Sequence, residues 1–137
     1  MRIVLDTNVL ISALITQGKP RELLNNASEG KFQLVLSKAI IDEFLRVYNE
    51  HQKVSRYANR EEVALFIKAI KETAEITKVT SNFAIVKDDP NDNIILETAF
   101  DGKTGFIVSG DKHLLSLKEF RGIKICTIDE MLKTIKE

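Results

Sequence analysis

The N-terminal stretch MRIVLDTNVL, residues 1–10, decides the fold. Its apolar run at residues 3–5 predicts a buried strand, and Val9, Leu10 and Leu14 then recur with the spacing of a helix. Asp6 stands between the two patterns, directly after the strand. The stretch therefore predicts a strand–helix unit that carries an acid at its junction.

The same alternation continues along the rest of the chain. Apolar runs predict strands at residues 32–36, 106–108 and 123–125, and residues 82–86 also read as extended. Helical patterns cover residues 21–29, 38–49, roughly 60–75, about 89–101, 111–117 and 128–135. Strands that alternate with helices form a parallel sheet covered on both faces. We therefore predict an α/β fold in one domain over residues 1–137.

Composition limits the possible functions of the chain. With 44% hydrophobic and 29% charged residues it reads as a globular protein, and no apolar run approaches the ~20 residues of a membrane span. The N-terminal stretch lacks the pattern of a secretory signal, and Cys126 is the single cysteine, so we expect a cytoplasmic protein without disulfides.

The overall charge of the chain does not decide which partners it binds. Twenty basic and twenty acidic residues cancel, which argues against binding nucleic acid through charge alone. Bound metal would offset the acids that hold it, so the balance leaves open an enzyme that meets phosphate through a cation.

Two acids follow predicted strands. Asp6 comes directly after the first strand, and Asp111 follows the run at residues 106–108. Ligands of open parallel sheets bind beyond the carboxyl ends of the strands, so both acids are candidates for a site there. Each also precedes a helix, where an aspartate is a favoured N-cap, and for either residue alone capping is the stronger interpretation.

Asp92 resists a purely structural interpretation. Asp89 and Pro90 fit the N-cap and first position of a helix, which puts Asp92 on the same stripe as Ile95 and Leu96. A carboxylate on a core-facing stripe is costly unless a partner or a cation meets it. Glu97 points away from this stripe and is expected to be solvated, as is Asp88 in the preceding loop.

Glu43 lies at the edge of the apolar arc of its helix, near Ile40 and Val47, whereas Asp42 lies well outside that arc. For Glu43 alone, a solvated helix acid is the stronger interpretation. Together with Asp6, Asp92 and Asp111 it becomes informative, because one edge of the sheet could collect all four.

Several convergent carboxylates are the ligands that hard divalent cations require. Two such ions about 3.5–4 Å apart can activate a water and stabilise the leaving oxygen of a phosphodiester. His51 and His113 share no ligand spacing, which makes zinc a poor candidate.

Four motifs, taken together and in order, closely resemble the PIN-domain family over essentially the whole chain. They are Asp6-Thr7-Asn8, Glu43 in the third helix, DPNDN at residues 89–93 and SGDKHLL at residues 109–115. The branch that they resemble most contains the toxin components of bacterial and archaeal toxin–antitoxin pairs.

The resemblance implies a Mg²⁺- or Mn²⁺-dependent endoribonuclease, with a five-stranded parallel sheet in an α/β/α sandwich. The family's catalytic, metal-binding acids fall on Asp6, Glu43, Asp92 and Asp111. It further implies an RNA substrate, a homodimer or larger homo-oligomer and, where a cognate antitoxin exists, a segment of it over the acidic cleft. A nuclease that processes RNA without being a toxin, and an inactive RNA- or protein-binding module, remain alternatives.

Three polar residues match positions beside the family's acids. Thr7 and Asn8 match the polar pair after the first acid, and Ser109 matches the small polar residue two places before the last acid. We expect them to orient a carboxylate or a metal-bound water. The alternatives are helix capping for Asn8 and an ordinary structural hydroxyl for Ser109.

Residues 46–60 interleave basic and aromatic side chains, which suits phosphates and bases of single-stranded RNA. An ordinary charged helical surface is the stronger interpretation of the segment. The candidate RNA-binding residues are Arg46, Lys53, Arg56, Lys112 and His113.

Two other protein classes also place an acid after the first strand. Aspartate-nucleophile phosphatases need a second acid two residues later as general acid, where this chain has Asn8. Phosphoacceptor signalling domains need an adjacent acidic pair near the N-terminus, and Asp6 has no acidic residue before it. Both alternatives are therefore poor.

Overall fold

The computed structural model describes residues 1–83 and 89–137, and within them six strands form one sheet. The strands are β1 Arg2–Leu5, β2 Gln33–Ser37, β3 Glu75–Thr77, β4 Phe106–Val108, β5 Glu119–Phe120 and β6 Ile123–Cys126, in the spatial order β3-β2-β1-β4-β6-β5. All neighbouring pairs are parallel except β5 and β6, which are antiparallel. The predicted α/β fold is thus confirmed, and the predicted parallel pairing holds for every neighbouring pair except β5 and β6.

The helices over the described residues alternate with these strands. They are α1 Thr7–Ile15, α2 Lys19–Ser28, α3 Lys38–Glu50, α4 Gln52–Ser55, α5 Arg60–Thr73, α6 Pro90–Asp101, α7 Lys112–Leu117 and α8 Ile128–Lys136. None of them is long and apolar enough to cross a membrane.

The expected count of five strands is one short of the six that the described residues form. Strand β3 occupies residues 75–77, where the sequence pattern predicted the end of a helix, and β5 has only two residues. A tight turn pairs β5 with β6, with positive φ at Arg121 and Gly122. The extended run predicted at residues 82–86 and the predicted loop position of Asp88 fall on or across residues 84–88, which lie outside the described residues.

The order of the strands creates a crevice beside β1. From β1 the chain moves outward on one side through β2 to β3, and then returns to β4 on the other side of β1. The connections after β1 and β4 therefore leave in opposite directions, and such a reversal opens a cleft at the carboxyl ends of the two strands. Leu5 pairs with Val108 at this end, and the Asp6 N–H donates to the Val108 carbonyl at 3.0 Å.

The core fixes the position of this cleft. Ile3, Val4 and Leu5 are fully buried, because a central parallel strand is covered by helices on both faces. Ser37 caps the start of α3, where its hydroxyl accepts from the Ile40 N–H. The same hydroxyl lies 2.7 Å from that of Thr98, which ties β2 to α6.

Candidate metal centre

Asp6 lies at the carboxyl end of β1 with only 5% of its surface exposed. It occupies the N-cap position of α1 but makes no side-chain capping hydrogen bond. Its Oδ2 instead accepts from the Ser109 hydroxyl at 2.7 Å. The same hydroxyl accepts from the Asp111 N–H at 2.9 Å. Ser109 is fully buried and thus links the ends of β1 and β4.

Asp111 does cap a helix. Its Oδ1 accepts from the His113 N–H at 2.7 Å at the start of α7, so the predicted helix-capping role of Asp111 is confirmed. A carboxylate has two oxygens and about four lone-pair sites, so one capping bond leaves it able to bind a ligand as well.

Asp92 lies in the first turn of α6, on the buried side of the helix with Ile95 and Leu96, as its spacing predicted. Only 3% of its surface is exposed, and its buried Oδ2 has no hydrogen-bond partner among the described residues. A buried charge without a partner is costly, which makes this oxygen the unusual atom of the site.

Asp92 and Asp111 converge with a third carboxylate, Asp89, to which the sequence assigned only a capping role. One oxygen from each of Asp89, Asp92 and Asp111 lies within 4.8 Å of the others. Asp89 also caps α6 as predicted, because its Oδ1 accepts from the Asn91 N–H at 2.9 Å. The signal that could have identified it is its place one turn before Asp92, at the same helix end.

The protonation of the site reflects this crowding. The pKa of Asp92 is raised to about 7, mainly by burial and also by the negative charges of Asp111, Asp89 and Asp6, while His113 opposes the rise. Burial also raises the pKa of Asp6, and the hydrogen bond from Ser109 opposes that rise.

This donor set fits a hard divalent cation. Mg²⁺ and Mn²⁺ take carboxylate oxygens together with water. A cation would meet the unpartnered oxygen of Asp92 and relieve the repulsion among its neighbours. Asp6, Asp92 and Asp111 are the predicted residues that the fold gathers here.

Glu43 lies at the border of this group rather than inside it. Its Oε1 accepts from Arg46 Nη2 at 2.5 Å and its Oε2 from Arg46 Nε at 3.0 Å. The side-chain amide of Asn91 also donates to Oε1, at 3.2 Å. Glu43 therefore contacts the first turn of α6, while Asp42 is exposed and pairs with Lys38 as a surface acid.

The remaining predicted residues lie around the site or on the surface. At the start of α1, Thr7 is buried and Asn8 is exposed. Four of the candidate RNA-binding residues are exposed: Lys53, Arg56, Lys112 and His113. Arg46 is engaged by Glu43 and Glu50.

The predicted solvated position of Glu97 needs correction, and one aromatic residue of the segment 46–60 lies in the core. Tyr48, within residues 46–60, is buried and donates its hydroxyl to the Ala58 carbonyl at 2.7 Å, so its ring is not available to stack on a base. Glu97 is half-buried, and its Oε2 accepts from the Phe83 N–H at 2.8 Å. Glu97 therefore holds the backbone at Phe83 against α6 through this hydrogen bond.

Comparison with known proteins places the chain among relatives. A family model described as PIN domain matches residues 2–113. An uncharacterized protein of Methanocaldococcus jannaschii is 31% identical over 140 residues, which cover 100% of this chain and 88% of that protein.

Two solved structures share the fold. A chain from the crystal structure of VapBC2 from Rickettsia felis, bound to a DNA fragment from their promoter, aligns with a TM-score of 0.60 and 14% identity, over 93% of this chain and 98% of that chain. A domain of a functionally unknown protein from Methanocaldococcus jannaschii aligns with a TM-score of 0.58 and 17% identity, over 90% and 88%. At these identities the likeness is one of fold.

Proposed function

The chain belongs to the PIN domain family, whose members are nucleases, and we propose that it is a metal-dependent endoribonuclease acting on single-stranded RNA. The observation that carries the proposal is the buried, unpartnered Oδ2 of Asp92 beside Asp111 and Asp6. A buried acid without a partner destabilises the folded protein, but its free oxygen can bind a divalent cation.

In this proposal, Asp6, Asp92 and Asp111 hold one or two Mg²⁺ or Mn²⁺ ions. The bound metal supplies activation of the attacking water and stabilisation of the leaving oxygen of the phosphodiester. Ser109 positions the acids, because its hydroxyl donates to Asp6 and accepts from the Asp111 backbone. Glu43 steadies the first turn of α6 through Asn91.

Substrate contacts come from exposed side chains next to the site. Lys112 and His113 follow Asp111 directly and are exposed, so they can meet a phosphate beside the acids. Lys53 and Arg56 on the exposed surface of α4 and its end are candidates for more distant phosphates.

The test is incubation of the purified protein with labelled single-stranded RNA and Mn²⁺ or Mg²⁺, with EDTA as control. Cleavage that requires the metal is the expected result. Absence of cleavage for a panel of RNAs of varied sequence and structure, with metal binding intact, would contradict the proposed activity.

We further propose that the protein is the toxin component of a toxin–antitoxin pair and forms a homodimer or larger homo-oligomer. This rests on the family motifs and on the fold that the chain shares with the VapBC2 structure. Expression in a bacterial host should slow growth by reducing translation, and the Asp92→Asn variant should not. Normal growth with abundant active enzyme would favour an RNA-processing nuclease.

A further inference from the structure

We propose that Asp89 is a ligand of the same divalent cation as Asp92 and Asp111, an inference that rests on the proposed metal site. Capping alone was the role that its position in the sequence predicted. In the fold, Asp89 joins the other two acids at one point, and Glu43 stays outside this group.

The first argument is the geometry of the carboxylates. Asp89, Asp92 and Asp111 each place an oxygen within 4.8 Å of the others, a spacing that one cation can bridge. Asp89 and Asp111 each use Oδ1 to cap a helix, α6 and α7. These two capping bonds fix the direction of both carboxylates before any cation arrives.

The second argument is independent of the spacing. Asp92 is 3% exposed, and its Oδ2 lies buried without a hydrogen-bond partner among the described residues. An acidic surface cluster would be solvated and would leave no such atom. Asp89 and Asp111 are the carboxylates grouped with Asp92, so a cation bound by Asp92 would have them as its neighbours.

The third argument concerns the acid that Asp89 supplements. Both oxygens of Glu43 accept from the guanidinium of Arg46, which neutralises its charge. Asn91 connects the two acids, since its backbone N–H donates to Asp89 and its side-chain amide to Glu43. Glu43 therefore acts as a positioning residue that holds the turn carrying Asp89 and Asp92.

The decisive variant is Asp89→Asn. Asparagine is as good an N-cap as aspartate and keeps an oxygen for the Asn91 N–H, so the helix start is preserved while the charge is removed. Mn²⁺ binding to the full chain is measured by calorimetric titration, without RNA. We expect the Mn²⁺ affinity to fall by about 10- to 100-fold, with the melting temperature in EDTA unchanged or higher.

Matched variants separate the possible failures. Asp42→Asn removes an exposed acid on α3 and should leave the affinity unchanged. Glu43→Gln should lower the affinity less than Asp89→Asn does. If Asp92→Asn abolishes binding while Asp89→Asn binds like wild type, the role of Asp89 is overturned and the metal site stands. If Asp92→Asn also binds like wild type, the site itself is overturned.

Discussion

Asp6 at the end of β1 and Asp92 in the first turn of α6 are almost equally buried, yet the protein treats them differently. Asp6 is 5% exposed and receives a hydrogen bond from Ser109. Asp92 is 3% exposed, and its Oδ2 receives none among the described residues. At the strand end, the buried acid is hydrogen-bonded within the protein. At the helix end, one buried oxygen remains available to bind a ligand such as a cation.

This difference teaches that burial alone does not mark a functional acid. A buried carboxylate that is hydrogen-bonded contributes to structure as well as to any ligand site. A buried carboxylate without a partner lowers stability, and a protein keeps such a group where a ligand compensates for it. Asp92 is therefore the central residue of the site, and Asp6 is its supported neighbour.

The largest expected effect is on RNA cleavage. Asp92→Asn should lower the rate by about two orders of magnitude or more, because an amide cannot replace a charged ligand of the cation. Asp6→Asn and Asp111→Asn should also lower it strongly. The measurement is the initial rate of cleavage in Mn²⁺ for each folded variant.

Two acids outside the metal site serve as controls for this comparison. Asp42→Asn removes only an exposed ion pair with Lys38, and Glu97→Gln keeps an oxygen that can accept from the Phe83 N–H. Both should cleave at the wild-type rate. Undiminished cleavage by Asp92→Asn would contradict its role in the metal site. So would equal losses of rate in the site variants and the two control variants.

A smaller effect is expected on the pH dependence of stability without metal. The folded pKa of Asp92 is raised to about 7, whereas an unfolded aspartate titrates near about 3.9. The folded state therefore holds this proton more tightly, and the associated stability is present below about pH 4 and lost as pH rises towards 7.

Asp92→Asn removes this dependence because the amide does not titrate. In EDTA, its free energy of unfolding relative to wild type should rise between pH 4.5 and 8, by on the order of 1–3 kcal/mol. Urea unfolding at pH 4.5, 6 and 8 measures the difference. A difference that does not change with pH would show that Asp92 titrates like a solvated acid.

The last variant tests the supported side of the comparison. Ser109→Ala removes the hydroxyl that donates to Asp6 and accepts from the Asp111 N–H. The free energy of unfolding should fall by about 1–3 kcal/mol, since two buried polar groups lose their partner. Ser28→Ala, which removes an exposed hydroxyl bonded to Asn25, is the control and should cost much less.

The sequence predicted the positions of Asp6, Asp92 and Asp111 because strand ends and helix faces follow from local periodicity. It did not predict that Asp89 joins them, since this depends on how the first turn of α6 meets the loop after β4. Nor could it reveal the pairing of Glu43 with Arg46, which depends on side-chain conformation.

The fold was predicted to a similar depth. Strands β1, β2, β4 and β6 carry apolar runs that show in the sequence, and their parallel pairing followed from the helices between them. Strands β3 and β5 have three and two residues, too few for a periodic pattern, and they form only because neighbouring strands offer an edge.

The most direct test of the metal site is a set of thermal melts of wild type and Asp92→Asn, each in EDTA and in Mn²⁺. The account predicts that the variant melts higher than wild type in EDTA. It also predicts that Mn²⁺ at 100 times its Kd stabilises wild type by about 2.7 kcal/mol and the variant much less. A variant that melts several degrees lower in EDTA, with an equal gain from Mn²⁺ in both proteins, would contradict the assignment of Asp92 to a cation site.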